Sequence, residues 1–394
     1  MQATGIVAEY NPFHNGHLHH LKQTKKYLNQ PVVAVMSGSI MQRGEPALLD
    51  KWTRARLAVQ NGVDLVIELP AVFSLRSAQY FAQGAAEIFK ACGCISYLSC
   101  GTENPEFDFI SHSKLIQSAK FQIHLKAFIT QGCSYAAAYE KTLQLLTDTQ
   151  LQLQTPNDIL ALEYCKALQD TAIKPLFIKR IAADYNDTSI TGSIASASAI
   201  RTAIFHNIPA SVQQSVPDNV WQELKTSDTC FYKPLLLWNL INYRLRTLTA
   251  EQISKYCQCS EGIENLLIKS GKCSSLKEAL SICSTKRYPS SRIRRLFMQL
   301  LLNQPAEFYE QKAPAYIRVL AFNDTGRQIL KVIKERSELP IITKLGKNPF
   351  SNQSSAFIQQ LTVDITASEL LTLLQQNYST IKSDYLTSPY YHKK

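Results

Sequence analysis

His14 and His17 stand three residues apart with Gly16 between them, in the stretch Gly5-Ile-Val-Ala-Glu-Tyr-Asn-Pro-Phe-His-Asn-Gly-His-Leu18. Residues three apart on a helix share a face, so both imidazoles fall together if a helix begins here. Apolar residues 5–8 read as a buried strand, and Asn11-Pro12 breaks it. From Gly16 onward Leu18, Leu21, Lys25 and Leu28 recur on one side, as in a helix. The free N–H groups and dipole of a helix start favour an anion, and the glycine lets a ligand come close to the backbone. Two imidazoles added there suit the α-phosphate of a nucleotide, where charge moves during nucleotidyl transfer. The plainer alternative is a pair of surface histidines; strand, turn and helix in the required order favour the nucleotide site.

A second constellation is Ser196-Ala-Ser-Ala-Ile-Arg201. The hydroxyls of Ser196 and Ser198 precede a helix, and Arg201 follows one turn into it. Such hydroxyls and amides can hold terminal phosphates while the guanidinium neutralises a leaving pyrophosphate. By itself this pattern is also an N-cap serine with a surface arginine. Gln42, Arg43 and Lys51 lie in and after the loop that follows the second strand, where they can grip a small carboxylate or phosphates or serve as loop polars. Asn157 can read an adenine edge or cap a helix, Arg180 can meet ribose, phosphate or a structural carboxylate, and Gly101 can admit an adenosine or make a turn.

The elements that must position these groups alternate strand and helix. Strands are expected at 32–36, 63–69, 95–99 and 176–181, with helices at 51–60 and 78–91. Near-continuous apolar strands between amphipathic helices indicate a parallel sheet covered on both faces. Ligands sit beyond the carboxyl ends of such strands at a switch in strand order, which gathers Tyr10, Asn11, Ser37, Gly38, Glu68 and Gly101 along one edge. Residues 106–170 read as helix-rich. Residues 206–218 read as a linker between a catalytic domain (1–208) and a mainly helical domain (209–394) with two strand-like pieces at 316–322 and 339–343. The tail 390–394 is expected to be mobile.

At 394 residues, 45% hydrophobic and 19% charged, the chain has the composition of a soluble globular protein. No apolar run is long enough to span a membrane, and the start does not resemble a signal peptide. The ten cysteines include no C-x-x-C pair, so reduced thiols in a cytoplasmic protein are expected, without a metal site. Net charge is +11: residues 1–209 hold 18 Lys+Arg against 16 Asp+Glu, and the rest hold 24 against 15. The excess in the second half suggests a polyanion partner there. Within it Lys286, Arg287, Arg292, Arg294 and Arg295 cluster around Tyr288, a natural place for phosphate contacts and base stacking, or else a solvated helix face.

His-x-Gly-His is shared with nucleotidyltransferases and class I aminoacyl-tRNA synthetases. Together with M-S-G-x-x-x-Q-R-G-E-P from Met36, D-K-W-x-R from Asp50, P-N-D from Pro156, S-A-S-A-I-R from Ser196 and K-R-Y-x-x-x-R-I-R-R from Lys286, it resembles the tRNA(Met) cytidine acetate ligase family. The likeness runs in order from Thr4 to about Gly326 and is weak beyond 345. It implies a Rossmann-like α/β nucleotidyltransferase that uses ATP and Mg²⁺ to make acetyl-adenylate from acetate. The acetyl group then passes to N4 of the wobble cytidine of elongator tRNA(Met). It further implies ATP on Val7, Ala8, Glu9, Tyr10, Asn11, Pro12, Phe13, His14, Asn15, Gly16, His17, Leu18, His19 and His20, and on Gly101, Asn157 and Arg180. Ser39-Ile40 departs from the expected Asn-Phe. Rival readings are a small-molecule adenylyltransferase, which leaves the basic half idle, a class I synthetase, for which no K-M-S-K-S loop is present, and an RNA-binding protein with a vestigial nucleotide site.

Overall fold

The computed structural model describes all residues except 134, 148–154, 182–191, 207–209, 227–230, 261, 286–287, 377–380 and 394. Among the described residues eight strands form one sheet: β1 (Ala3–Ala8), β2 (Val32–Ser37), β3 (Leu65–Leu69), β4 (Ile95–Thr102), β5 (Lys174–Lys179), β6 (Ile317–Asn323), β7 (Ile341–Ile342) and β8 (Tyr390–His392). The order is β5-β4-β1-β2-β3-β6-β7, with β8 beside β6. β1 to β5 run parallel, and β6 is antiparallel to β3.

β2 and β3 are buried at every position, as a sheet covered on both faces requires. One face packs on helix Ala78–Cys92 through Phe81, Phe89 and Ile88, and the other on Leu21, Leu57 and Ile200. The chain leaves β1 toward β2 on one side, while β4 lies on the other. The change of direction therefore falls between β1 and β4, where helix Asn15–Leu28 begins and Gly101 lies.

Three sequence expectations need correction. The second half is not confined to an appended helical body, since β6, β7 and β8 extend the first half's sheet. The expected linker 206–218 includes helix Ala210–Ser215, which packs beside helix Ala197–Phe205, with Val212 fully buried. The tail is fixed through His392: β8 pairs with β6, the Tyr391 ring stacks on Phe322, and its hydroxyl donates to Asp324 at 2.6 Å.

Lys51, a candidate substrate ligand, is 1% exposed and bound into the scaffold. Its ammonium lies 2.8 Å from Glu68 on β3 and 2.7 Å from Asp384, and Arg318 on β6 reaches the same Asp384 oxygen at 2.7 Å. The charges of two cations and two carboxylates offset one another where each alone would be costly to bury. Position after the second strand could not distinguish this from an open loop, because Asp384 and Arg318 are more than 260 residues away in the chain.

Candidate nucleotide site

Beyond Ala8 the chain turns through Tyr10 (φ +46) and a cis Asn11-Pro12 bond into helix Asn15–Leu28. His14 is the N-cap of that helix. Its Nδ1 accepts the Gly16 N–H at 3.0 Å, and its own N–H donates to Nδ1 of His17 at 3.3 Å. With both Nδ1 atoms acting as acceptors, each neutral ring carries its proton on Nε2. The rings lie 3.8 Å apart between centroids. Gly16 is required here because a Cβ would come 2.8 Å from Cε1 of His14, so the glycine makes room for the imidazole as well as for a ligand.

Burial, followed by the charges of Arg180 and Arg201, pulls His14 down to about 3. Burial, then His14 and Arg180, lowers His17 well below the usual imidazole range. The pair is therefore two neutral N–H donors flanked by two guanidiniums. Tyr10 and Phe13 wall His17, with ring centroids 5.0 and 5.7 Å away. Asn11 is 1% exposed; its Oδ1 accepts the Leu48 N–H at 2.7 Å, while its Nδ2 has no partner among the described residues. An unpartnered buried amide beside two imidazole donors marks a place for a ligand acceptor.

Other residues of the expected ATP stretch have scaffold contacts. Glu9 accepts the Gln42 N–H at 2.7 Å, and burial raises its carboxyl above the ordinary range. Asn15 donates to the carbonyls of Ser193 and Gln214, both at 2.8 Å. Val7 and Leu18 pack against the two core clusters. His20, lowered to about 4 mainly by burial, bonds the Ser99 hydroxyl on β4 at 2.9 Å. His19 is partly exposed.

The opposite wall comes from β4 and β5. A Cβ on Gly101 would lie 3.1 Å from Cγ of Arg180, so the glycine lets that side chain cross the strand end. Arg180 meets Glu103 at 3.1 Å, and the same carboxylate accepts Thr155 Oγ1 at 2.8 Å and Asn157 Nδ2 at 2.7 Å. Glu103 thus gathers two of the expected nucleotide residues, and sequence reading missed it. Its signal was its place just past Gly101, at the carboxyl end of a strand.

Ser196 caps helix Ala197–Phe205 by accepting the Ala199 N–H at 3.0 Å, and Ser198 is exposed on the first turn. Arg201 donates to the Asn11 carbonyl and to Glu45, each at 3.0 Å. Glu45 also pairs with Arg294. Glu45 lies in the Q-R-G-E-P motif, where the sequence alone assigns it no role. Gln42 donates to the Arg76 carbonyl at 3.0 Å, and Arg43 is exposed.

In the basic cluster, Lys286 and Arg287 lie outside the described residues. Tyr288 is not available to stack on a base: it is 7% exposed and its hydroxyl donates to the Ser260 carbonyl at 2.8 Å. Arg292 lies over that ring, 4.6 Å from its centroid, and donates to Ser260 Oγ at 2.8 Å. Burial pulls Arg295 down to about 10, and it leans on the Gln42 carbonyl at 3.4 Å.

The HIGH Nucleotidyl Transferase family model matches residues 1–385. A tRNA(Met) cytidine acetate ligase of Clostridium perfringens is 37% identical over 410 residues, covering 99% of both chains. One from Leuconostoc mesenteroides is 37% identical over 409 residues and covers both chains completely. The chain belongs to this ligase family. The crystal structure of Thermotoga maritima TmcAL bound with alpha-thio ATP superposes with a TM-score of 0.91, at 28% identity and full coverage of both chains. The apo form of that protein gives 0.92 at 30% identity, again over both whole chains. Family likeness therefore extends past residue 345, where the motifs thin out. No described helix is long and apolar enough to cross a membrane.

Proposed function

We propose that this chain activates acetate with ATP as acetyl-adenylate, releasing pyrophosphate, and acetylates N4 of the wobble cytidine of elongator tRNA(Met) in the cytoplasm. The observation that carries the reading is the pair of neutral Nε2–H donors at a helix N-terminus, flanked by Arg180 and Arg201. An acetate oxygen attacks the α-phosphorus in line, and the bond to the bridging oxygen of pyrophosphate breaks. His14 and His17 donate to the α-phosphate oxygens as charge builds there, an electrostatic role in which neither gains or loses a proton. Arg201 steadies the departing pyrophosphate. The cytidine N4 then attacks the acetyl carbonyl, the bond to AMP breaks, and N4 gives up a proton.

Glu103 orients Arg180 and Asn157 toward the adenosine. Mg²⁺ has no protein cage: among the described residues no group of three or more His, Cys, Asp or Glu side chains could hold an ion. The ion's natural place is on the phosphates of ATP, and no step above is routed through it. The tRNA backbone is met by the second half, whose charge excess is +9. Incubation with labelled acetate, ATP and total tRNA, followed by nucleoside analysis, tests this function: label in N4-acetylcytidine is expected, and label-free tRNA contradicts it.

A further inference from the structure

A cleft of about 880 Å³ opens between the Gly44–Pro46 turn, helix Pro234–Thr247, helix Leu276–Cys283 and helix Ser290–Leu302. None of the nucleotide-site groups described above except Glu45 lines it. The space is in the range of small-ligand sites. Of the aromatic residues along it, Trp238 and Phe297 are buried, and the half-buried Tyr232 presents the accessible ring.

Two polar atoms in this lining are buried without a partner among the described residues: the Ser284 hydroxyl and Nε of Arg294. Buried polar groups are nearly always hydrogen-bonded, so a donor and a hydroxyl left unpaired along this cleft point to a ligand with complementary polar edges. Lys277 adds a second cation at the rim. The partly open Tyr232 ring, apolar side chains, hydroxyls and cations together are the chemistry that holds a nucleobase with its phosphate.

The cleft is rigidly tied to the nucleotide site. Gly44 has φ +74, and a Cβ there would lie 2.4 Å from the Arg295 backbone nitrogen, so turn and helix touch backbone to backbone. Next to it, Glu45 pairs with Arg294 on the cleft side and with Arg201 on the histidine side. Glu45 is thus shared by the edge of the cleft and the edge of the histidine site.

We propose that the cleft takes one unstacked nucleobase of the tRNA, adjacent in the strand to the cytidine being acetylated, with its phosphate on Arg294 and Lys277. The proposal rests on the tRNA acetylation inferred above. Two exposed positions test it without touching the nucleotide site: Ser281→Trp fills the mouth, and Lys277→Glu reverses a rim charge. Each variant should keep the wild-type rate of acetate-dependent ATP–pyrophosphate exchange, which also certifies folding, and lose roughly tenfold or more in kcat/KM for tRNA, the scale of one stacked base. An anticodon stem-loop with 2-aminopurine beside the wobble cytidine should change fluorescence on binding wild type and not on binding Ser281→Trp. Wild-type kcat/KM for tRNA in both variants, with the fluorescence change intact, overturns the cleft assignment alone. A wild-type protein that acetylates no tRNA overturns the underlying function, and the cleft assignment with it.

Discussion

The backbone N–H of His14 donates to Nδ1 of His17 at 3.3 Å, while Nδ1 of His14 takes the Gly16 N–H at 3.0 Å. One turn of helix thereby fixes both tautomers and directs both remaining ring protons to Nε2. With His14 pulled down to about 3 and His17 also lowered, neither ring charges near neutrality in the free protein. The pH profile of kcat/KM for ATP in acetate-dependent exchange should accordingly lack a limb near 6.5, because that profile reports the free enzyme. Stability carries the opposite sign of evidence. The unfolded chain takes up protons at these histidines below about pH 6.5 and the folded chain does not, so their contribution is present above that pH and fades as pH falls toward 3. A histidine limb near 6.5 that vanishes in His17→Gln contradicts this assignment.

Arg201 touches both the Asn11 carbonyl and Glu45, one residue group from each side of the site. If it steadies pyrophosphate, Arg201→Ala should slow adenylate formation by a barrier of about 2–4 kcal/mol, as for loss of one preorganised donor. Acetyl transfer to tRNA from supplied acetyl-adenylate should be far less affected. Equal slowing of both half-reactions places Arg201 elsewhere.

Glu103 holds Arg180, Thr155 and Asn157 with one carboxylate. Glu103→Ala should raise KM for ATP roughly tenfold, the order expected on losing hydrogen bonds to a charged group, with a smaller fall in kcat. Initial-rate kinetics of exchange read the split, and an unchanged KM removes Glu103 from nucleotide binding.

The buried cluster of Lys51, Glu68, Arg318 and Asp384 sits beside Asp364, which burial and the nearby Glu68 charge push up to about 7. Lys51→Met should destabilise by about 3–5 kcal/mol, since it leaves two buried carboxylates with Arg318 as their one remaining cation among the described residues. Asp364 binds its proton more tightly folded than unfolded. Its contribution is therefore full below about pH 4 and is lost as pH rises through 7. Thermal melts of Asp364→Asn between pH 5 and 8 should fall less with pH than those of the wild type; parallel curves contradict the assignment.

The parallel sheet was legible because β1 to β4 announce themselves locally, as short apolar runs closed by a turn residue such as Asn11, Gly38 or Pro70. The histidine pair was legible because its chemistry lies within one helical turn. Lys51 misled because its partners, Glu68 and Asp384, come from a strand and from the far end of the chain. Tyr288 misled for the same reason: its hydroxyl is committed to Ser260, and no spacing rule reports that. The tail read as mobile because three residues cannot declare themselves a strand, and only the pairing with β6 makes them one. Glu45 and Glu103 were missed because the arginines they hold, Arg201 and Arg180, are distant from them in the chain. The structure uses each to hold the arginines that face them.

On the proposed mechanism His14 and His17 support adenylate formation as neutral donors. Acetate-dependent ATP–pyrophosphate exchange, run without tRNA on wild type, His14→Ala and His17→Ala, tests it most directly. Robust exchange is expected in the wild type and a loss of about a hundredfold or more in each variant, with tRNA binding largely intact. Wild-type exchange rates in both variants contradict it.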